Sequence, residues 1–409
     1  MTENLLDPYL DRINSVELRI ILGKHFDSPG QYDGKSNDKL YLPLADASCR
    51  VVLKYKEGRI VEIKRGTAFD VAEWSRICVE IESSLLNGSQ KIGRELTFSS
   101  HRVLKSWRGT RSGIQIIPPP EDAPQPLVVK SAEHPFILEF PILASDIYEV
   151  THHRRQREHR NLTLLLNLLL VGRTNAQPLR SEYFWATVSP GQVIPDIRCV
   201  QRFYFANIGE VVLDEPSPCT EWLEEIESEK YYATIGHDGL GLRVPSDLDD
   251  SIYYYQQLLP NHRTKFNRAI FWMDIASRQW NVSISASFAA LVTAIESLTE
   301  RGKTHQCYCE QCQVQTSHDV PGATEQFREF FERYAPSAPL KKCRTKMYSL
   351  RSGILHGNQL MELDQGLAPF CAPWEPQALK ESALHQELWG LTQVAMRNWL
   401  KATSSLEAK

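Results

Sequence analysis

The chain has 409 residues, 42% of them hydrophobic and 23% charged, a composition that excludes a wholly disordered or fibrous protein. A single hydrophobic core stops growing at about 250–300 residues, so two or three domains are expected. The net charge of −4 excludes a global pull toward nucleic acid and leaves any such contact to local basic patches.

The opening MTENLLDPYLDR lacks the basic and apolar regions of a signal peptide, so a cytoplasmic protein is expected. The runs CRVVLKY and IVEIKRG, joined by KEGR, read as a β-hairpin with Gly58 in its turn. Asp70 then precedes a helical pattern in which Val71, Trp74, Cys78, Ile81 and Leu85 recur until Asn87-Gly88 stops it. GIQIIP, PLVVK and FILEFPI are strand candidates, with Pro118 to Pro126 a stiff connection between the first two. The basic run HHRRQREHR leads into LTLLLNLLLV. That apolar stretch falls short of the ~20 residues of a membrane span and carries Asn167, so a buried helix and no membrane association are expected. YFWATV, IRCVQRFYFANI and EVVLDE read as strands again.

Near Asp214 the apolar period lengthens from that of a strand to that of a helix. The expected helices are EWLEEIESEKYYATI, SIYYYQQLL, KFNRAIFWMDIASRQ, SFAALVTAIESLTE, ATEQFREFFERYA, LKKCRTKMYSLRSGILH and ALKESALHQELWGLTQVAMRNWLKA. In the last, Leu384, Leu388, Leu391, Ala395 and Trp399 form an apolar stripe. The fold class expected is α+β: a mixed, β-rich domain over 1–150, an α/β continuation or linker over 151–243, and an all-α bundle over 244–403 with a Cys-rich insertion at 301–320.

Within MYSLRSGILHGN, Arg351 and His356 stand five residues apart at a helix end, with Gly357 in a cap position. That offset turns the helix by about 140° beyond a full turn and advances it ~7.5 Å, so the two side chains flank a groove. The same spacing recurs at Arg154 and His159, and context separates the two. The match at Arg351 closes a long helix in His-Gly and follows the AIESL helix, with a helical hairpin insertion expected between them.

The AIESL helix, YSLRSGILHG and the closing amphipathic helix together resemble the HEPN superfamily, and within it the ApeA-like branch. The resemblance covers the C-terminal third only. It implies a helical bundle that forms a homodimer with the Arg-His motifs of two protomers facing each other. It also implies a metal-independent endoribonuclease acting on RNA in antiphage defence, abortive infection or a toxin-like system. On that resemblance Arg351 and His356 are the catalytic pair, and the N-terminal region senses a phage or cellular trigger or holds activity in check. This chain has Ser352 after the arginine, where many active members carry Asn or Asp. The other reading is a non-catalytic HEPN module that binds RNA or a partner protein.

The residue types suit the reaction by themselves. Cleavage of RNA by its own 2′-OH needs a base, an acid and a cation near the phosphorane; imidazole serves the first two and guanidinium the third, with no catalytic cofactor. Glu296, on the preceding helix, is a third catalytic candidate that would orient Arg351, against the alternative of a solvated or structural salt bridge.

Nine cysteines, an odd number, argue for reduced thiols or a metal site over a disulfide framework. Cys307, Cys309 and Cys312 follow His305 closely, and Cys343 lies on the next helix. A structural Zn2+ would take Cys309, Cys312 and Cys343 with either Cys307 or His305, and the alternative is reduced thiols without metal. Arg154, Arg155, Arg157 and Arg160 of the basic run are candidate RNA-phosphate contacts, against the alternative of a solvated helix face. Tyr253 to Tyr255 offer either base stacking or bundle packing. No Gly-rich phosphate loop, His-Glu-x2-His site or Gly-x-Ser-x-Gly elbow is present, which removes support for the common NTPase, metalloprotease and hydrolase classes.

Overall fold

The computed structural model of the chain describes residues 4–9, 12–26, 30–35, 38–42, 49–66, 69–119, 125–126, 134–171, 174–175, 184–187, 197–200, 207–233, 241–299, 305–309, 314–318, 322–337, 339–365 and 376–407. Contacts divide it into two units. One is Met1–Arg94, Glu139–His159 and Gly209–Ser217; the other is Glu95–Leu138, Arg160–Ile208 and Pro218–Lys409. The fold class is α+β, with antiparallel sheets and helices first and a mostly helical region after them.

Asn14 opens α1 (Ser15–Lys24), its side-chain oxygen accepting from the amides of Val16 and Glu17. Strands β1 (Gln31–Tyr32), β2 (Lys39–Leu42), β3 (Val51–Lys56) and β4 (Arg59–Arg65) form an antiparallel sheet in that order. The expected hairpin is β3–β4. Glu57 and Gly58 take φ of 51° and 75°, as a two-residue turn matched to strand twist requires. Asp70 caps α2 (Val71–Glu80) by accepting from the Ala72 amide, and a π-helical turn, Ile81–Leu86, carries the helix on to Asn87. The pleat buries Val51, Leu53, Ile60 and Ile63 with Ile21, Leu22, Ile77 and Ile81 in one cluster, the core of the first unit.

Next come β5 (Ser89–Ser99), β6 (Trp107–Arg108), β7 (Gln115–Ile117), β8 (Gln125–Pro126) and β9 (His134–Ala144). The PLVVK run falls almost wholly outside the described residues. Helix α3 (Tyr148–Leu169) takes in both the basic run and the leucine run without a break. Asn167, the polar residue among those leucines, donates to Asp274 and accepts from Thr174, so its burial is satisfied. After β10 (Thr174–Asn175), β11 (Phe184–Thr187), β12 (Ile197–Val200) and β13 (Val212–Leu213), the strands resolve into a sheet ordered β10-β5-β9-β7-β6 and another ordered β12-β11-β8. β13 pairs with β5 at Gly93 and Ile92.

The EWLEEIESEKYYATI segment is not one helix. It holds β14 (Glu225–Ile226) and the short α4 (Ser228–Ala233), and β14 pairs in parallel with β15 (Val244–Pro245). Trp107 Nε1 donates to Glu225, and Ser228 Oγ donates to Asp247, so tertiary partners override the helix propensity of the glutamates.

The helical region comprises α5 (Leu248–Gln256), α6 (Pro260–Gln279), α7 (Ile284–Glu296), α8 (Ala323–Tyr334), α9 (Lys341–Leu355), α10 (Glu362–Gln365) and α11 (Pro376–Glu407). All five residues of the stripe expected on the last helix are buried. The region is not all-α, and the insertion is not a helical hairpin. Between α7 and α8 lie β16 (His305–Cys309) and β17 (Val314–His318), paired antiparallel. Tyr308, Val314 and Thr316 are strand-favouring types, a local signal that the helices on either side obscure. Among the described residues no helix is long and apolar enough to cross a membrane.

Candidate functional site

Helix α7 is fixed at its start by a carboxylate. Asp364 accepts from the amides of Ile284 and Ser285 and from Ser283 Oγ, while Ser283 Oγ itself accepts from Ala286. Burial pushes the Asp364 carboxyl up, and the hydrogen bonds from Ser285, Ser283 and Ile284 outweigh it, holding the group below its ordinary value. The helix then runs through a buried face, including Phe288, Leu291 and Ile295, to Glu296 as its last residue.

A carboxylate at the carbonyl end of a helix is electrostatically unfavourable and needs partners. Glu296 has two. Arg351 Nη2 donates to its Oε2 at 2.5 Å, and the Tyr348 hydroxyl donates to its Oε1 at 2.9 Å. Tyr348 and Arg351 stand three residues apart on α9 and so share a face, with the guanidinium carbon 5.7 Å from the tyrosine ring centre. Phe327 of α8 backs that ring at 5.4 Å. Burial, then the bond to Glu296, raises the Tyr348 phenol above its ordinary value. The Arg351 and Glu296 side chains are only 20% and 23% exposed, and Arg351 Nε has no acceptor among the described residues. The guanidinium is thus held at Nη2, and its Nε is sealed from solvent.

Helix α9 is anchored by Met347 and Leu350 and by Arg344, which is buried and donates to the carbonyl of Ala335 at the end of α8. Its own end is closed by a Schellman motif. Gly357, at φ 70°, donates to Ile354 O, and the Asn358 amide donates to Gly353 O. His356 is the C-cap residue and is exposed. Within one chain, no hydrogen bond or ion pair links its ring to Arg351 or Glu296 among the described residues. The sequence-predicted Arg351 and Glu296 are therefore brought together, His356 stands apart at the cap, and Tyr348 was missed. Its i, i+3 spacing from Arg351 was the available signal.

The basic run behaves differently. Arg154 is 7% exposed and donates to Glu17, to Leu143 O and to Leu85 O, and Arg155 is also buried. Neither is placed to meet RNA phosphate, because burial on α3 and, for Arg154, a carboxylate from α1 hold them inside. Arg157 is more exposed but also donates to Glu17, and exposed Arg160 lies near the Phe271 ring. His159, the counterpart of His356, is buried and stacked against Phe140, and burial with nearby Arg155 pushes its imidazole down to about 4.

Of the cysteines, Cys307 and Cys309 belong to β16, and Cys309 stands in register with Val314. Cys312 lies outside the described residues, and Cys343, near the start of α9, is a half-buried free thiol. His318, not singled out in the sequence, pairs in register with His305. Among the described residues no three His, Cys, Asp or Glu groups are gathered for a metal. The Tyr253–Tyr255 run packs: the buried Tyr255 donates to Asn267, and Arg111 lies over the Tyr253 ring at 4.2 Å. In the first unit, a cleft of about 500 Å3 is lined by Arg19, Tyr32, Asp38, Tyr55 and Glu57 among others. No protein-family model, curated protein or solved structure matches the chain, so the site is read from its residues.

Proposed function

We propose that the chain is a metal-independent endoribonuclease of HEPN type, active as a homodimer through its helical region. The observation that carries this reading is the Arg351 guanidinium, partly exposed and held at Nη2 by Glu296, on the helix whose exposed cap is His356. A guanidinium held this way is preorganised for the charge that grows on a phosphorane. The 2′-OH attacks the adjacent phosphorus, the P–O5′ bond breaks, and a 2′,3′-cyclic phosphate and a 5′-hydroxyl result. Imidazole takes the proton from the nucleophile and gives one to the leaving oxygen. Two protomers would supply one His356 for each task.

The N-terminal region would sense a trigger, and the first-unit cleft has a volume suited to a small ligand. Antiphage defence is the setting proposed by the family resemblance. The cysteine insertion would be closed by a structural zinc on Cys309, Cys312, Cys343 and Cys307 or His305, a reading supported by their spacing and by the place of Cys307 and Cys309 on β16. That no hydrogen bond or ion pair joins the His356 ring to Arg351 or Glu296 among the described residues favours a second reading, a non-catalytic module in which these residues hold a dimer or bind RNA.

Mixed RNA incubated with the full chain in EDTA is expected to yield fragments ending in 2′,3′-cyclic phosphate, and the same sequences as DNA are expected to stay intact. Cutting of DNA, or RNA fragments ending in 3′-hydroxyl, would overturn the mechanism.

A further inference from the structure

We propose that Tyr348 is a positioning residue for Arg351, acting through Glu296. The inference rests on the nuclease reading of the same site. Each Glu296 oxygen accepts a hydrogen bond, Oε1 from the Tyr348 hydroxyl and Oε2 from Arg351 Nη2, so the carboxylate bridges the two side chains. A carboxylate gripped only by arginine swings about its own side-chain bonds, and the guanidinium swings with it. The phenol removes that freedom by pinning the second oxygen.

The phenol is itself pinned. Its ring is backed by Phe327, which packs edge-on against Phe331, both from α8 and both buried. The arginine lies on the side of the ring reached by an i, i+3 neighbour. Three helices thus converge on one guanidinium: α8 holds the ring, α9 carries the phenol and the arginine, and α7 ends in the carboxylate between them.

The test is a double-variant cycle on the full chain, read in kcat, in KM and in the thermal midpoint. Tyr348→Phe keeps the ring and deletes the donor. It is expected to lower kcat about tenfold, a loss typical of a misplaced catalytic group, with KM changed less than about twofold. Glu296→Gln keeps one oxygen for Arg351 and loses the one that accepts from the phenol, so it is expected to fall about as far as Tyr348→Phe, and Glu296→Ala is expected to fall as far or further. Tyr348→Phe added to Glu296→Ala is expected to cost nothing more, in kcat or in midpoint.

Multiplying effects in that double variant, or wild-type kcat in Tyr348→Phe, would overturn the positioning role. A Glu296→Gln variant as inactive as His356→Ala would also overturn it, by placing the carboxylate in the chemistry itself. If the wild-type chain cuts no RNA, the nuclease reading fails, and the midpoint cycle still decides whether the phenol and the carboxylate act as one unit.

Discussion

Arg154 with His159 and Arg351 with His356 have the same spacing, each pair belongs to a helix, and their environments are opposite. The first pair is in the middle of α3, where the guanidinium is enclosed by Glu17 and two carbonyls and the imidazole is stacked on Phe140. The second pair ends α9, where the guanidinium is 20% exposed and held by one carboxylate, and the imidazole is exposed at a capped terminus. In the middle of a buried helix, every donor must find a partner within the fold, so such a pair becomes structural. At a capped helix end the same two residues remain available to a ligand.

That contrast is most sharply broken or upheld by stability. Arg154→Ala leaves the buried Glu17 with only the half-exposed Arg157 and takes the donor from two enclosed carbonyls, so it is expected to cost about 3–5 kcal/mol in unfolding measurements. Arg351→Ala is expected to be mild in stability and severe in function, with kcat for RNA cleavage down about 100- to 1,000-fold, the usual loss for one oxyanion-stabilising donor. Equal destabilisation by the two variants would erase the distinction.

The next effect is in pH. Burial and Arg155 push His159 down to about 4 in the folded protein, against about 6.5 when unfolded. Its stabilising contribution is fully present above about 6.5 and is lost as pH falls toward about 4, because the unfolded chain binds the proton first. The loss amounts to about 3 kcal/mol. Thermal midpoints across that range should therefore fall more steeply in the wild type than in His159→Phe. Burial likewise pushes His385 to about 4, and this gives a background slope that the variant keeps. The smallest expected effect is that of Arg157→Ala, within about 1 kcal/mol, since its 43%-exposed side chain shares Glu17 with Arg154.

Periodic features were the legible ones. The hairpin around Gly58, the cap at Asp70 and the stripe from Leu384 to Trp399 follow from alternation, capping chemistry and helical spacing, all local properties of the chain. What depended on distant partners was not. The helix expected from Glu221 gave way to a pairing between Glu225 and Val244, and the arginines of α3 read as a basic face because Glu17 lies far off in the sequence. The site divides the same way. Arg351, His356 and the helix end were visible as a motif, and Glu296 as a neighbour. Tyr348 became a candidate only once α7 and α9 were seen to meet at a shared carboxylate.

The most direct measurement is cleavage of mixed RNA in EDTA by the wild-type chain and by His356→Ala, with thermal midpoint and oligomeric state recorded for both. Cleavage to 2′,3′-cyclic phosphate ends by the wild type, abolished in His356→Ala at unchanged midpoint and assembly, is the predicted result. Identical behaviour of the two proteins on every RNA tried would contradict it.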